Sequence, residues 1–252
     1  MKLFKILSIV VFISAINTSY GQNADTLLWA MDMLMSAPLD KEARVEIILE
    51  NKSGKQKVRE ASMLQKGKDK KLYRYTKPES QAGIATLSLP GDIMWLYMPA
   101  FGKPTKISLL AKSQTFTGTD FSYEDMESRL YSERYTPSMM ENENSDYHLL
   151  KLIPKSKKSK YSQIELYLHK TEFYPIKMYY FDSRGNKFKV ATYKYTKSGK
   201  YWYASEVIMT DLKKEHSTKI LMNDVKFDQG VKDDAFSVEL LMPEKEETKD
   251  SQ

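Results

Sequence analysis

The chain has 252 residues, 39 Lys and Arg against 33 Asp and Glu, a formal net charge of +6, and 3 Trp, 17 Tyr and 10 Phe. That aromatic content suffices to bury a core, which excludes low-complexity disorder and allows one large domain or two small ones. Cysteine is absent, which excludes disulfides, thiolate metal sites, a thiol nucleophile and a lipidated cysteine, and His148, His169 and His216 lie too far apart in sequence to suggest a histidine metal centre.

Residues 1–21 place Lys2 and Lys5 before an apolar run from Ile6 to Ile16, then Ser19 and Gly21 at small-residue positions before a cut. This is the order of a secretory signal peptide, and the apolar run, roughly 16 Å as a helix, is shorter than a bilayer core. Cleavage leaves Gln22 first, with 37 basic and 33 acidic residues and a charge of about +4. Export without cysteine points to a bacterial periplasm. The expected organisation is a signal peptide over 1–21, one domain over 22–242 and a solvated tail over 243–252.

Leu27, Leu28, Met31, Leu34 and Met35 recur with a helical period, with Trp29 alongside, and predict a helix capped by Asp25 and closed before Pro38. Beyond Asp40 the period changes to alternation. Strands are expected at Ala43–Glu50, Lys57–Gln65, Lys71–Thr76, Ile84–Leu89, Ile93–Met98 and Thr105–Leu110, with turns at 51–54, 66–69 and 90–92. The stretch Lys112–Asn144 reads as loop and short helices. Strands resume at Tyr147–Ile153, Gln163–His169, Ile176–Phe181, Phe188–Tyr195, Tyr203–Thr210, Thr218–Phe227 and Phe236–Leu241. The candidates predict one large antiparallel sheet, curved or barrel-like, with one wet face where lysines alternate with apolar residues. Basic strands interleaved with aromatics also fit nucleic-acid binding, but export argues against that partner.

No Gly-x-Ser-x-Gly elbow, phosphate-cradling glycine loop or His-Glu-x-x-His pair occurs. The acidic cluster Asp120, Glu124 and Asp125 supplies carboxylates for acid–base chemistry, but Asp120 and Ser122 sit where caps of a short helix belong, with Glu124 or Asp125 in its first turn. Capping is the preferred reading. No catalytic residue, metal ligand or cofactor is expected.

Asp92–Ile107 carries WLYxPAxG followed by a basic strand, and Gln114–Met126 carries FxGxDFxYEDM, with an upstream strand over Gly83–Leu89. Toward the C-terminus, Tyr203–Asp211 runs into MTD and Asp224–Val238 reads DVKxDxGVxDDxFSV. These segments resemble the outer-membrane lipoprotein-sorting protein family, the LolA-like periplasmic carriers, in a longer form. The resemblance implies a mainly β fold with a few helices: a half-open antiparallel β-barrel with helices covering the concave side, and an apolar cavity that shields acyl chains of lipoproteins or other lipids. It implies transfer without catalysis, with transient membrane-surface contact and an inner-membrane RND-type exporter or outer-membrane acceptor as partners. The competing reading is a lipid-independent signalling or assembly module that binds a protein. An envelope hydrolase using Asp120 and Glu124 is the third.

Candidate cavity or lid residues are Leu27, Leu28, Met31, Leu34 and Met35 on the first helix; Met94, Trp95, Leu96, Tyr97 and Met98 on one strand, alternate residues facing opposite ways; and Phe101, Phe116, Phe121, Tyr123 and Met126 beyond it. Gly102 and Gly118 are expected to serve the backbone. The lysine-rich hairpin Lys155–Lys160 has no place in the compact family pattern, and neither Arg44 nor Arg59 is nominated as the arginine with which relatives hold their lid closed.

Overall fold

The computed structural model describes residues 23–108, 111–143 and 146–243. The expected signal peptide lies outside the described residues, as does the expected tail beyond Pro243. The first element is helix α1, Ala24–Met35. Its cap is Asn23 rather than Asp25: Asn23 Oδ1 accepts from Thr26 N at 2.7 Å, while Asp25 lies in the first turn beside the positive end of the helix dipole. The helix stops where Ser36 Oγ donates to Asp32 O at 2.7 Å, two residues before Pro38.

Thirteen strands follow: β1 Asp40–Glu50, β2 Gln56–Lys66, β3 Lys70–Lys77, β4 Ala85–Leu89, β5 Ile93–Tyr97, β6 Thr105–Lys106, β7 Tyr135–Met139, β8 Tyr147–Pro154, β9 Gln163–His169, β10 Pro175–Phe181, β11 Lys187–Ser198, β12 Tyr201–Asp211 and β13 His216–Phe227. They form one antiparallel sheet in the order β6-β5-β4-β3-β2-β1-β13-β12-β11-β10-β9-β8-β7. Every neighbour is consecutive in sequence except β1 and β13, which join the two halves mid-sheet with Val45 opposite Met222 and Ile47 opposite Ile220. The outer strands β6 and β7 do not pair with each other, so the sheet is a half-open barrel.

Alternation divides the two faces. Ala43, Val45, Ile47 and Leu49 of β1 are buried on the inner face, where α1 lays Leu27, Leu28 and Met31 against the same core. The outer face carries a smaller cluster, Leu72, Ala85, Leu87 and Tyr97, covered by Phe236 and Leu241.

Three expectations on the strands are corrected. Phe236–Leu241 alternates like a strand but forms two 3₁₀ turns, Asp233–Phe236 and Glu239–Leu241, lying across the outer face. Side chains rather than a neighbouring strand satisfy the carbonyls there: Lys66 Nζ donates to Val231 O at 2.7 Å and Arg74 Nη1 to Leu241 O at 3.0 Å. Conversely, β7 lies in the stretch expected to lack strands. Its Pro137 has no N–H to offer a ladder and is tolerated because β7 is an edge. The strand expected to run to Leu110 shows only Thr105–Lys106, and Leu109 and Leu110 lie outside the described residues. Gly102 and Gly118 adopt φ of +63° and +76°, the left-handed region that a side chain disfavours.

The crossing from β13 to the outer face turns on Asp40. Its buried carboxylate accepts from the backbone N–H groups of Gln229, Gly230 and Val231 at 2.7, 2.9 and 3.0 Å. Asp40→Ala leaves three donors without their acceptor and is expected to lower stability by about 2 kcal/mol, read as a shifted urea midpoint, and to expose residues 228–242 to limited proteolysis.

Candidate functional site

The concave face is roofed by α1 and by the segment from Phe116 to Arg134, which contains two one-turn helices, α2 Tyr123–Met126 and α3 Tyr131–Arg134. Ser122 and Asp125 make a reciprocal capping box at α2: Ser122 Oγ accepts from Asp125 N at 3.2 Å and Asp125 Oδ2 from Ser122 N at 2.7 Å. The Tyr161 hydroxyl adds a donor to the same Asp125 oxygen at 2.7 Å. The start of α3 is capped from another element. Asp32 of α1, 2% exposed, accepts from Tyr131 N and Ser132 N, each at 2.8 Å. Those two bonds tie the helix to the rest of the roof.

Beyond α2, the buried Glu127 carboxylate receives Lys112 Nζ at 2.9 Å and Arg134 Nη1 at 3.2 Å. Lys112 also meets Asp92, which Arg129 approaches at 3.3 Å. Burial opposes ionisation of Asp92, but the Lys112 and Arg129 charges outweigh it and hold its carboxyl below the usual range. Arg134 lies 4.5 Å from the Tyr131 ring centroid and 5.2 Å from that of Tyr135. Although burial disfavours its charge, Tyr135, Glu127, Tyr131 and Glu124 together raise its pKa.

Between roof and sheet is a cavity of 190 Å³. Its apolar wall comes from β10 to β13, with Met178, Tyr193, Val207, Met209 and Ile220 prominent, and Met63 and Tyr73 continue it onto β2 and β3. Three hydroxyls, those of Tyr131, Tyr180 and Tyr193, donate to the Met178 sulfur at 3.8, 3.5 and 3.4 Å. Burial raises the pKa of all three tyrosines. A thioether is a weak acceptor, so these three bonds are weak ones.

The opposite end is polar. Lys41 on β1 pairs with Gln65 on β2, and Gln65 with Lys71 on β3, so the three lie side by side on the inner face and line the cavity. Burial lowers the Lys41 ammonium to about 8. Burial, then repulsion from Lys41 and Arg134, lowers Lys71 to about 7 against a weaker pull from Glu127.

Of the residues proposed from sequence, Met35, Phe121 and Met126 line the cavity. Leu27, Leu28 and Met31 are fully buried in the core beside it, and Leu34 is partly buried. Phe116 and Tyr123 are buried edge-to-face at 5.5 Å, with Tyr73 against Phe116 at 6.3 Å. The Met94, Leu96 and Met98 set faces the inner core, whereas Trp95 and Tyr97 face outward toward Phe236 and Leu241. Phe101, 69% exposed, sits in the turn after β5 and meets neither. Sequence reasoning passed over Asp32, Lys41, Gln65, Lys71 and Arg134. The three strand residues share the parity of the inward-facing Ala43, Met63 and Tyr73, and that alternation was the available signal.

The carboxylates of Asp120 and Glu124 serve different elements. Asp120 Oδ2 accepts from Thr218 Oγ1 at 2.6 Å and lies 2.7 Å from His216 Nδ1, so it anchors the roof to β13 and is not the helix cap expected; Ser122 alone is. Glu124 accepts from Ser159 Oγ at 2.6 Å and Lys160 N at 3.0 Å, which holds the lysine-rich hairpin against the roof. Arg44 pairs with Asp224 at 2.9 Å on the surface, and Arg59 donates to Thr117 O at 2.7 Å.

A family model described as "Uncharacterized protein" matches residues 67–242. Among solved structures, a domain described as an outer-membrane lipoprotein-sorting protein from Vibrio parahaemolyticus is 27% identical, with a TM-score of 0.80 over 86% of this chain and 97% of its own. A DUF1329 family protein from Desulfovibrio piger is 22% identical with a TM-score of 0.80, over 86% and 97% of the two chains. A LolA superfamily protein from Nitrosomonas europaea is 22% identical with a TM-score of 0.73, over 86% and 98%. No curated protein matches.

The lowered lysines set a pH dependence. Between about pH 7 and pH 9.5 the folded Lys71 and Lys41 give up protons that the unfolded chain, near 10.5, retains, so stability rises with pH across that window. Nearer pH 10 the buried tyrosines with raised pKa reverse the slope. Lys71→Met is expected to raise the Tm by a few degrees at pH 7 and by less at pH 9.5, as melting curves at the two pH values will read.

Proposed function

We propose that this chain, a member of the LolA-like family, is a periplasmic carrier that shields acyl chains of lipids or lipoproteins and delivers them toward the outer membrane without catalysis. The observation that carries the reading is the cavity on the concave face: apolar walls rich in Met and Tyr under a roof formed by α1 and the segment 116–134. Met is unbranched and polarizable and suits cargo of variable shape.

At 190 Å³ the cavity is smaller than the roughly 300–1,000 Å³ of ordinary small-molecule sites, so a whole acyl chain enters only as the roof moves. The exchange is energetically balanced. Each methylene removed from water contributes about 0.8 kcal/mol, so a dozen offer about 10 kcal/mol. Leu27, Leu28 and Met31 leaving the concavity give up roughly 2 kcal/mol each. Loading then replaces one apolar occupant by another, and an acceptor with a deeper site reverses it. The surface lysines supply attraction to anionic membranes during transient contact.

The same small volume favours the second reading, a lipid-independent envelope module that binds a protein. Native mass spectrometry of the full chain purified from a bacterial periplasm separates the two. A discrete co-purified lipid or acylated protein supports the carrier; a bare protein mass that also refuses added phospholipid and lipopeptide supports the module.

The roof motion has its own test. Asp32→Ala removes the acceptor shared by Tyr131 and Ser132 and is expected to lower stability by about 1–2 kcal/mol while speeding uptake of a fluorescent fatty acid several-fold. Met35→Asp, at the cavity wall, is expected to reduce lipid occupancy several-fold with unchanged circular dichroism. Unaltered uptake and occupancy in both variants would sink the moving-roof proposal.

A further inference from the structure

The cavity is not uniformly apolar, and its charges do not balance locally. Asp32, Asp125 and Glu127 all line it, and each is already engaged: Asp32 by two backbone N–H groups, Asp125 by Ser122 and Tyr161, and Glu127 by Lys112 and Arg134. The ammonium groups of Lys41 and Lys71 have no ion pair or hydrogen bond among the described residues. Arg134, 7% exposed and lining the same cavity, keeps a buried Nε with no hydrogen-bond partner.

The register fixes the spacing. Lys41 and Lys71 flank Gln65 on adjacent strands, so their backbones stand about 10 Å apart. Two four-carbon stems converge from that distance on one anion, and an ammonium ion is a compact donor suited to an oxygen-rich one. Burying cations without a counter-ion is costly, and a bound oxyanion removes the cost. The Met and Tyr wall on β10 to β13 continues the same cavity from this polar row.

We propose that Lys41 and Lys71, with Arg134, form an oxyanion site inside the cavity that takes the phosphate head of a lipid while its acyl chain lies along the Met and Tyr wall. The lipid part rests on the carrier reading above; the oxyanion site does not. Free phosphate shares the head-group chemistry and is the alternative source. Because the lysines are partly deprotonated in the empty cavity, filling the site draws protons from solution.

The test is calorimetry on the full chain at pH 8 in two buffers of different ionisation enthalpy. The probes are lyso-phosphatidylglycerol below its micelle threshold, a monoacylglycerol with the same chain, and inorganic phosphate. Wild type is expected to bind the phospholipid at least tenfold more tightly than the neutral lipid, with proton uptake. The double variant K41M/K71M, its fold checked by melting, is expected to lose that tenfold and the proton uptake while keeping its affinity for the monoacylglycerol. K41R/K71R, charged at every working pH, is expected to keep the preference without the proton uptake.

Equal affinities for the two lipids in wild type, or an unchanged preference in K41M/K71M, would overturn the site and leave the carrier reading standing. If wild type binds neither lipid but binds phosphate, and K41M/K71M does not, the site stands as a free-phosphate site and the carrier reading falls. If nothing binds, both fall.

Discussion

An antiparallel sheet that curves without closing leaves one apolar concave face that water cannot be allowed to wet, and this constraint governs the rest of the chain. Here β6 and β7 end the sheet unpaired, and the inner face carries Val45, Ile47, Met63, Leu150 and Leu166 at essentially complete burial. A closed barrel would fill itself; an open one needs a cover. The cover must bring its own apolar stripe, which α1 does with Leu27, Leu28 and Met31, and must satisfy its own helix ends. Asp32 meets the second need for α3, since it sits on the covering helix and caps the neighbouring roof segment. The roof is held both by this apolar area and by side-chain anchors, among them Asp120 to Thr218 and Glu124 to Ser159.

Against that background, the polar row of Lys41, Gln65 and Lys71 is a departure from what stability alone selects. Three positions facing a concave core favour Val, Leu or Tyr, and the next inward positions along the same strands are Ala43, Met63 and Tyr73. Unpaired ammonium groups in half-buried lysines work against folding. The neighbouring network takes the opposite course: Lys112, Arg134, Glu127 and Asp92 compensate one another at short range. Compensated and uncompensated charges thus lie side by side, and Arg134 belongs to both, its Nη1 on Glu127 and its buried Nε without a partner.

Much of the fold was legible because alternation in long strands is a strong signal. Twelve of the observed strands overlap runs such as Lys57–Gln65 and Tyr203–Thr210 that were marked from period alone. The failures have local causes. In β7 the proline that suggested a loop is what an edge strand permits, and in 236–241 the alternation belonged to turns whose apolar residues press on a sheet face rather than extend its edge. The helix cap moved two residues because Asn23 and Asp25 are both good caps, and only the position of the first turn chooses between them. The site was legible in part. Met35 stands out from the helical period of the first segment and Phe121 and Met126 from a family-like motif, while Lys41 and Lys71 carry no motif that sets them apart. Parity along a strand says which residues share a face, but which face is concave depends on curvature and on what packs against it, and that is a property of the whole sheet.

The small volume and the buried cations bear on each other. A carrier whose empty cavity were large would fill with water or collapse, and one whose walls were uniformly greasy would hold its cargo too well to release it. In the proposed carrier, α1 as occupant of the concavity avoids the first problem, since loading would exchange apolar surface for apolar surface and leave a modest net free energy. In the proposed oxyanion site the second is met by lysines whose pKa burial lowers: they take up part of a proton as an anion arrives, so their contribution to binding is diminished by that uptake, and any acceptor membrane rich in anionic headgroups competes for the same cations. Affinity is then set by differences between large terms, the condition under which a small change at the acceptor reverses the direction of transfer.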